Sequence, residues 1–184
     1  MAAANVAMSL SAKPKPNDAT GPVQAVWTKS GALPACGGSL GAICAGANET
    51  YIYQMAIFGQ NLGMASQLIQ DMNELWGPKG NGMTPSNLIQ KKKSLPLIYA
   101  FENSSISIKR ELGNIYMKRV LEPEDSSRVI EILNDSGAKD HSEARAKTLI
   151  SKCLTSLQAL DIQGDDLTEF ESLLEIATTQ TLSN

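Results

Sequence analysis

From Tyr51 to Trp76 the chain runs without a proline, and its apolar residues recur at the three- and four-residue spacing of a helix face. Gly77-Pro78-Lys79-Gly80-Asn81-Gly82 ends the run with residues that cannot continue a helix. No other stretch of this sequence carries so long an unbroken helical pattern. Gly59 and Gly63 fall four apart on one side of it, where a second backbone can come close.

The segments around it read the same way. Val23 to Ala47 forms a first helical stretch, and Asn48-Glu49-Thr50 supplies a break with capping residues. Within it, Gly31 to Ala47 is apolar and rich in small residues but interrupted by Pro34 and several glycines; a buried helix is expected there rather than a membrane span. A polar loop leads to Lys91-Lys92-Lys93, and Ser94-Leu95-Pro96 starts another helix with Pro96 in its first turn. Ile106–Tyr116, Ser126–Leu133, Ser142–Leu160 and Leu167–Thr178 each carry apolar residues at helical spacing, with Ser136-Gly137 as a stop. No period-two run calls for a sheet. The fold class is all-α: a flexible arm over residues 1–21, marked by Lys13-Pro14-Lys15-Pro16, and a helical domain over 22–184.

Composition agrees with helices and narrows the function. With 184 residues, 42% hydrophobic and 19% charged, the chain can bury a real core. Aromatic content is 5%, which favours helices over a β-sandwich. A net charge of −3 and a pI near 5.2 give no sign of a nucleic-acid partner. Cys36, Cys44 and Cys153 make neither a C-x-x-C pair nor a disulfide framework, and are expected as reduced cytosolic thiols packed in a helical core. The sole histidine, His141, lies among charged residues and is expected at the surface. The N-terminus has an apolar run but no early basic region, so no secretory signal is expected, and the protein is placed in the cytoplasm without a transmembrane segment.

One part of the long helix is polar. In Gln67-Leu68-Ile69-Gln70-Asp71-Met72-Asn73-Glu74-Leu75, the residues Gln67, Asp71 and Glu74 stand at i, i+4 and i+7 with Gln70 beside them, so they share a face. Asp71 and Glu74 can reach one hard cation together, with Gln70 as a neutral oxygen donor. Magnesium suits such a set because it binds through one or two carboxylates while phosphates and water complete its shell. The same spacing also describes the wet side of any amphipathic helix. Lys91-Lys92-Lys93, and Lys29 with Ser30 ahead of another apolar stretch, can bind phosphate oxygens, though a lysine run is also a common solvated surface.

Together the segments resemble the C-terminal half of the trans-isoprenyl diphosphate synthases, the polyprenyl synthetase family. Lys29-Ser30-Gly31-Ala32-Leu33 is similar to the family's K-T-[AG]-x-L, and Gly41-Ala42 with Ala45-Gly46-Ala47 to its G-A…A-G-A continuation. Phe58-Gly59-Gln60-Asn61-Leu62-Gly63-Met64-Ala65-Ser66-Gln67 resembles F-G-x-x-L-G-x-A-F-Q, with Ser66 in place of an aromatic. Lys92-Lys93-Ser94-Leu95-Pro96 looks like K-x-T-L-P, and Ile132-Leu133-Asn134-Asp135-Ser136-Gly137-Ala138 like I-L-x-x-S-G-A. The likeness runs from about Trp27 to Ile176.

The resemblance implies part of an isoprenoid-synthase-type helical bundle around an apolar cavity. It implies a reaction in which Mg2+ neutralises an allylic prenyl diphosphate, the carbon–oxygen bond ionises, and isopentenyl diphosphate attacks the carbocation. Apolar walls keep water from the cation. By position, Gln70, Asp71 and Glu74 match the second D-D-x-x-D motif and would be the metal-binding residues. The implied catalytic residues are Lys29, Gln67, Asp71 and Lys92, with Lys29, Ser30, Gln67 and Lys92 on the substrate diphosphate.

Three departures bear on function. Gln70 replaces an acid on the metal face, and Asn87 stands where the family has Asp ahead of its Lys-x-T-L-P segment. The first D-D-x-x-D motif has no counterpart: the stretch before Lys29 holds Asp18 as its only acid. Helices that carry that motif would also cover apolar faces of this chain. The first expectation is therefore an accessory or half-length synthase subunit that works in a homo- or hetero-oligomer with a prenyl-synthase-like chain. The alternatives are an active prenyltransferase or diphosphate lyase with a reduced metal site, and a fragment without function.

Overall fold

The computed structural model describes residues 22–77, 85–162 and 164–178, with side chains from Lys29 onward. The N-terminal arm and residues 78–84 of the glycine-rich stop lie outside the described residues. Every regular element among the described residues is a helix. α1 (Pro22–Cys44) runs through Pro34 and ends at Gly46, whose φ of 71° lies in the left-handed region open to glycine. Asn48 then caps α2 (Glu49–Trp76) by accepting a hydrogen bond from the Tyr51 N–H at 2.9 Å. After residues 78–84 come a single turn, α3 (Ser86–Ile89), and then α4 (Leu95–Asn103) and α5 (Ile106–Met117). α6 (Pro123–Asp135), α7 (Ala138–Gln158) and α8 (Asp165–Thr178) complete the chain.

Most boundaries fall within a few residues of the sequence reading. α7 begins four residues earlier than the apolar pattern suggests, because Gly137 (φ 74°) reverses the chain and its carbonyl at once accepts the His141 N–H at 3.1 Å. α3 lies where the sequence suggests a loop, because four residues carry no helical period.

The described residues fall into two compact units, one drawn from residues 22–67 and 147–178, the other from residues 68–146. In the first, α1 and α2 meet backbone to backbone. A Cβ added at Gly59 would stand 2.2 Å from the Pro34 carbonyl oxygen, and one at Gly63 2.5 Å from that of Ser30. Pro34 has no N–H to offer the Ser30 carbonyl one turn back, and Gly63 lies against that same carbonyl. The close approach expected of Gly59 and Gly63 is therefore present. The core of this unit joins Ala42, Ile52, Met55, Phe58, Cys153, Leu157 and Leu174, with the rings of Phe58 and Phe170 edge to face at 5.3 Å.

Two expectations fail here. α1 is not a buried helix: Leu33 is 81% and Leu40 54% exposed, because its inward seam (Gly31, Ala35, Ser39, Ala42) is made of small residues and the larger ones lie on its other sides. Cys36 and Cys44 are likewise exposed on α1, and Cys153 alone packs in a core; all three thiols are free.

The second unit buries Leu75 of α2 with Leu88, Leu97, Ala100, Leu112, Ile115, Val129, Ile132, Leu133 and Ala138. Within it α4, α5 and α6 pack on one another. The Trp76 Nε1–H donates to Asn134 Oδ1 at 2.8 Å, fixing the end of α2 to α6. His141 is exposed as expected, with its ring stacked on Tyr99 at 4.1 Å.

Candidate functional site

In the second unit, the last turns of α2 carry both apolar and acidic residues. Leu68, Ile69, Met72 and Leu75 are buried, and so is Asp71, at 3% exposure. A carboxylate this deep must be paired or hydrogen-bonded, since an isolated buried charge costs several kcal/mol or more (~). Two of its partners come from the segment that follows α2. Lys92 Nζ lies 2.7 Å from Asp71 Oδ1, and Asn87 Nδ2 donates to the same oxygen at 3.4 Å.

Local backbone geometry brings Lys92 there. After α3 the Gln90 N–H closes onto the Ser86 carbonyl at 2.9 Å, and Lys91 takes a left-handed φ of 52°. That reversal carries the Lys92 N–H back to the Asn87 carbonyl at 2.8 Å. A non-glycine residue in this region costs about 1 kcal/mol, and the Lys91 side chain is itself tied down, donating to the Lys118 carbonyl. Ser94 then precedes α4, whose second residue is Pro96, as the sequence suggested.

Glu74, one turn beyond Asp71, is bound from the same segment. Its Oε2 accepts the Ser86 hydroxyl at 2.5 Å and the Asn87 N–H at 3.0 Å. Asn87, itself buried, thus touches Glu74 through its backbone, Asp71 through its side chain and Lys92 through its carbonyl. An acid at this position would add a third carboxylate; the amide donates instead. Two carboxylates and one ammonium leave the cluster one net negative charge.

The structure brings together Asp71, Glu74 and Lys92, and adds Ser86 and Asn87. In the sequence Asn87 stands out only as a departure from the family pattern and Ser86 does not stand out; Pro85-Ser86 opening a turn is the available signal. Gln70, on the same helix, is exposed. Lys29, Ser30 and Gln67 belong to the first unit, where Lys29 is exposed on α1 and Ser30 and Gln67 are half-buried.

Among the described residues no group of three or more His, Cys, Asp or Glu side chains is placed to hold a metal ion by itself. Asp71 and Glu74 nonetheless fit magnesium in donor chemistry: both are hard oxygen ligands, and magnesium accepts one or two carboxylates when phosphates fill its remaining positions. The Lys92 ammonium stands on one of those carboxylates. No helix among the described residues is long and apolar enough to cross a membrane.

Comparison with known proteins agrees with this architecture. The sequence profile of the polyprenyl synthetases matches residues 13–133. The geranylfarnesyl diphosphate synthase of Aeropyrum pernix is 31% identical over 147 residues, which are 77% of this chain and 45% of that enzyme. The crystal structure of a polyprenyl synthetase from Streptomyces coelicolor A3(2) superposes with a TM-score of 0.72 at 28% identity, covering 82% of this chain and 47% of that one. A geranylgeranyl pyrophosphate synthase from Corynebacterium glutamicum, solved in complex with isoprenyl diphosphate and magnesium, shares the fold with a TM-score of 0.67 at 24% identity, over 77% of this chain and 41% of that one. The fold is thus the all-α isoprenoid-synthase fold. The chain belongs to the polyprenyl synthetase family, and it spans less than half the length of the curated relatives it matches.

Proposed function

We propose that this chain carries the second acidic face of a prenyl diphosphate synthase and binds the diphosphate of an allylic substrate together with Mg2+. It works in an oligomer, in the cytoplasm, where a prenyl-synthase-like segment of the same or another chain supplies the first acidic face. The observation that carries this reading is the Asp71–Lys92 pair: a buried carboxylate and a lysine from a separate loop at 2.7 Å, with Glu74 one turn away. An amphipathic helix that only needed a wet side would leave these groups in solvent. The exposed Leu33 and Leu40 of α1 favour a further prenyl-synthase-like segment packing over that helix.

Each residue has a role in this reading. Lys92 presents its ammonium to diphosphate oxygens, and Asn87 and Ser86 hold the two carboxylates in place. Lys29, with Ser30 beside it on α1, and Gln67 contribute to diphosphate recognition. Asp71 and Glu74 would hold magnesium, with Gln70 as a neutral oxygen donor. When bound, the cation supplies the positive charge that stabilises a departing diphosphate.

The test is binding of allylic prenyl diphosphates of several lengths by calorimetry, in magnesium, to the wild type and to the double variant Asp71→Ala, Glu74→Ala. Loss of binding by at least about tenfold in the variant is expected, since a charge-assisted contact contributes roughly 1.5–3 kcal/mol. Unaltered binding by the variant removes the site assignment. Adding isopentenyl diphosphate separates the two forms of the proposal. Product from the purified chain makes it an active prenyltransferase with a reduced site, and binding without product makes it an accessory subunit.

A further inference from the structure

Lys92 occupies a position that a substrate-binding lysine alone does not require. Its ammonium rests on Asp71, one of the two carboxylates that fit a divalent cation, while Asn87 contacts that carboxylate independently. The Asp71 side chain is 4% exposed and that of Lys92 35% exposed, so the ammonium stands between a buried anion and solvent. An ammonium has three donors; with one on Asp71, the others can meet an anion arriving from the solvent side. A divalent cation approaching Asp71 meets the lysine's like charge, at short range and beside a buried group, where screening is weak.

Resting on the diphosphate-and-magnesium reading above, we infer that Lys92 couples the two ligands: it occupies Asp71 while no diphosphate is present and passes to the diphosphate when one binds, releasing the carboxylate to the cation. Asn87, and the Ser86 and Asn87 bonds to Glu74, keep the carboxylates in place during that transfer. The cation alone therefore binds weakly and the two ligands bind with positive cooperativity, each raising the other's affinity by the same factor. Lys92 is in this respect a positioning residue for Asp71 as well as a ligand contact, and the device keeps a free cation from settling in the site before substrate.

The experiment uses the full chain and Mn2+ as a paramagnetic probe of the divalent site, with free Mn2+ read by electron spin resonance. In the absence of diphosphate, Lys92→Met should bind Mn2+ at least about fivefold more tightly than the wild type, at the lower end of ordinary coupling factors. Lys92→Arg keeps the charge and should stay at the wild-type level. Asp71→Asn added to Lys92→Met should abolish the gain. Where Lys92→Met does not fold by circular dichroism, Lys92→Gln replaces it, since a neutral amide removes the charge while keeping a polar side chain at this half-exposed position. Mn2+ affinity in the neutral variant no higher than in the wild type, or a gain that survives loss of Asp71, overturns the inference. Failure of the wild type to bind allylic diphosphate under any condition instead overturns the functional proposal, because Mn2+ competition with Lys92 is measured without that ligand.

Discussion

Replacing Gly59 by alanine tests the seam between α1 and α2. The new Cβ would lie 2.2 Å from the Pro34 carbonyl oxygen and 2.6 Å from its carbon, both backbone atoms of the facing helix. Ordinary contact begins at 3.4 Å, so the helices must part by roughly the difference, 3.4 − 2.2 = 1.2 Å. No rotamer change relieves such a clash, which puts the strain near the top of the range for overpacking, about 3 kcal/mol. Alanine returns about 1 kcal/mol through its better helix propensity, leaving a net loss of about 2 kcal/mol. Gly37, on exposed α1 surface with nothing within 4 Å of an added Cβ, isolates that propensity gain. Gly37→Ala should therefore stabilise the chain by up to about 1 kcal/mol. The two variants should differ by about 3 kcal/mol in urea denaturation followed by circular dichroism, with the sign of the effect reversed between them. Midpoints that coincide would show that α1 and α2 do not meet at Gly59.

Two further measurements address the surface and the cores. Iodoacetamide should modify Cys36 and Cys44 in the native protein, while Cys153 is protected by burial, which also pushes its thiol up to about 12, and by its contact with the Phe58 carbonyl at 3.7 Å. Mass spectrometry should find two adducts in buffer and three in denaturant; a third appearing as fast as the first two would refute the packing of Cys153. His141 is the only histidine, so its ring can be followed by proton NMR without assignment. Partial burial, and then the charge of Arg145, hold it below the ordinary histidine value. The unfolded chain therefore takes up this proton first, and the neutral ring's contribution to stability is lost as pH falls from the ordinary value toward the folded one. A midpoint at or above the ordinary value would refute the environment described for the Tyr99–His141 stack.

The helices themselves were legible in the sequence, since helical period, caps and breakers act within about four residues. Asn48 before α2, Pro96 in the first turn of α4 and Gly137 after α6 each stand where local chemistry asks for them. Gly59 and Gly63 announced a close approach, but not that the Pro34 and Ser30 carbonyls would be what they meet. The polar stripe offered Asp71 and Glu74 with two meanings, and spacing could not choose between them. Only the tertiary structure decided that Asp71 is buried, that a lysine 21 residues away neutralises it, and that Asn87 joins Asp71, Glu74 and Lys92. These facts depend on a chain reversal at Lys91 and on a four-residue helix too short to leave a period in the sequence. The exposure of Cys36, Cys44, Leu33 and Leu40 followed the same division. Residue type sets a preference for the interior, but which side of α1 faces inward was settled by a seam that only small residues can form.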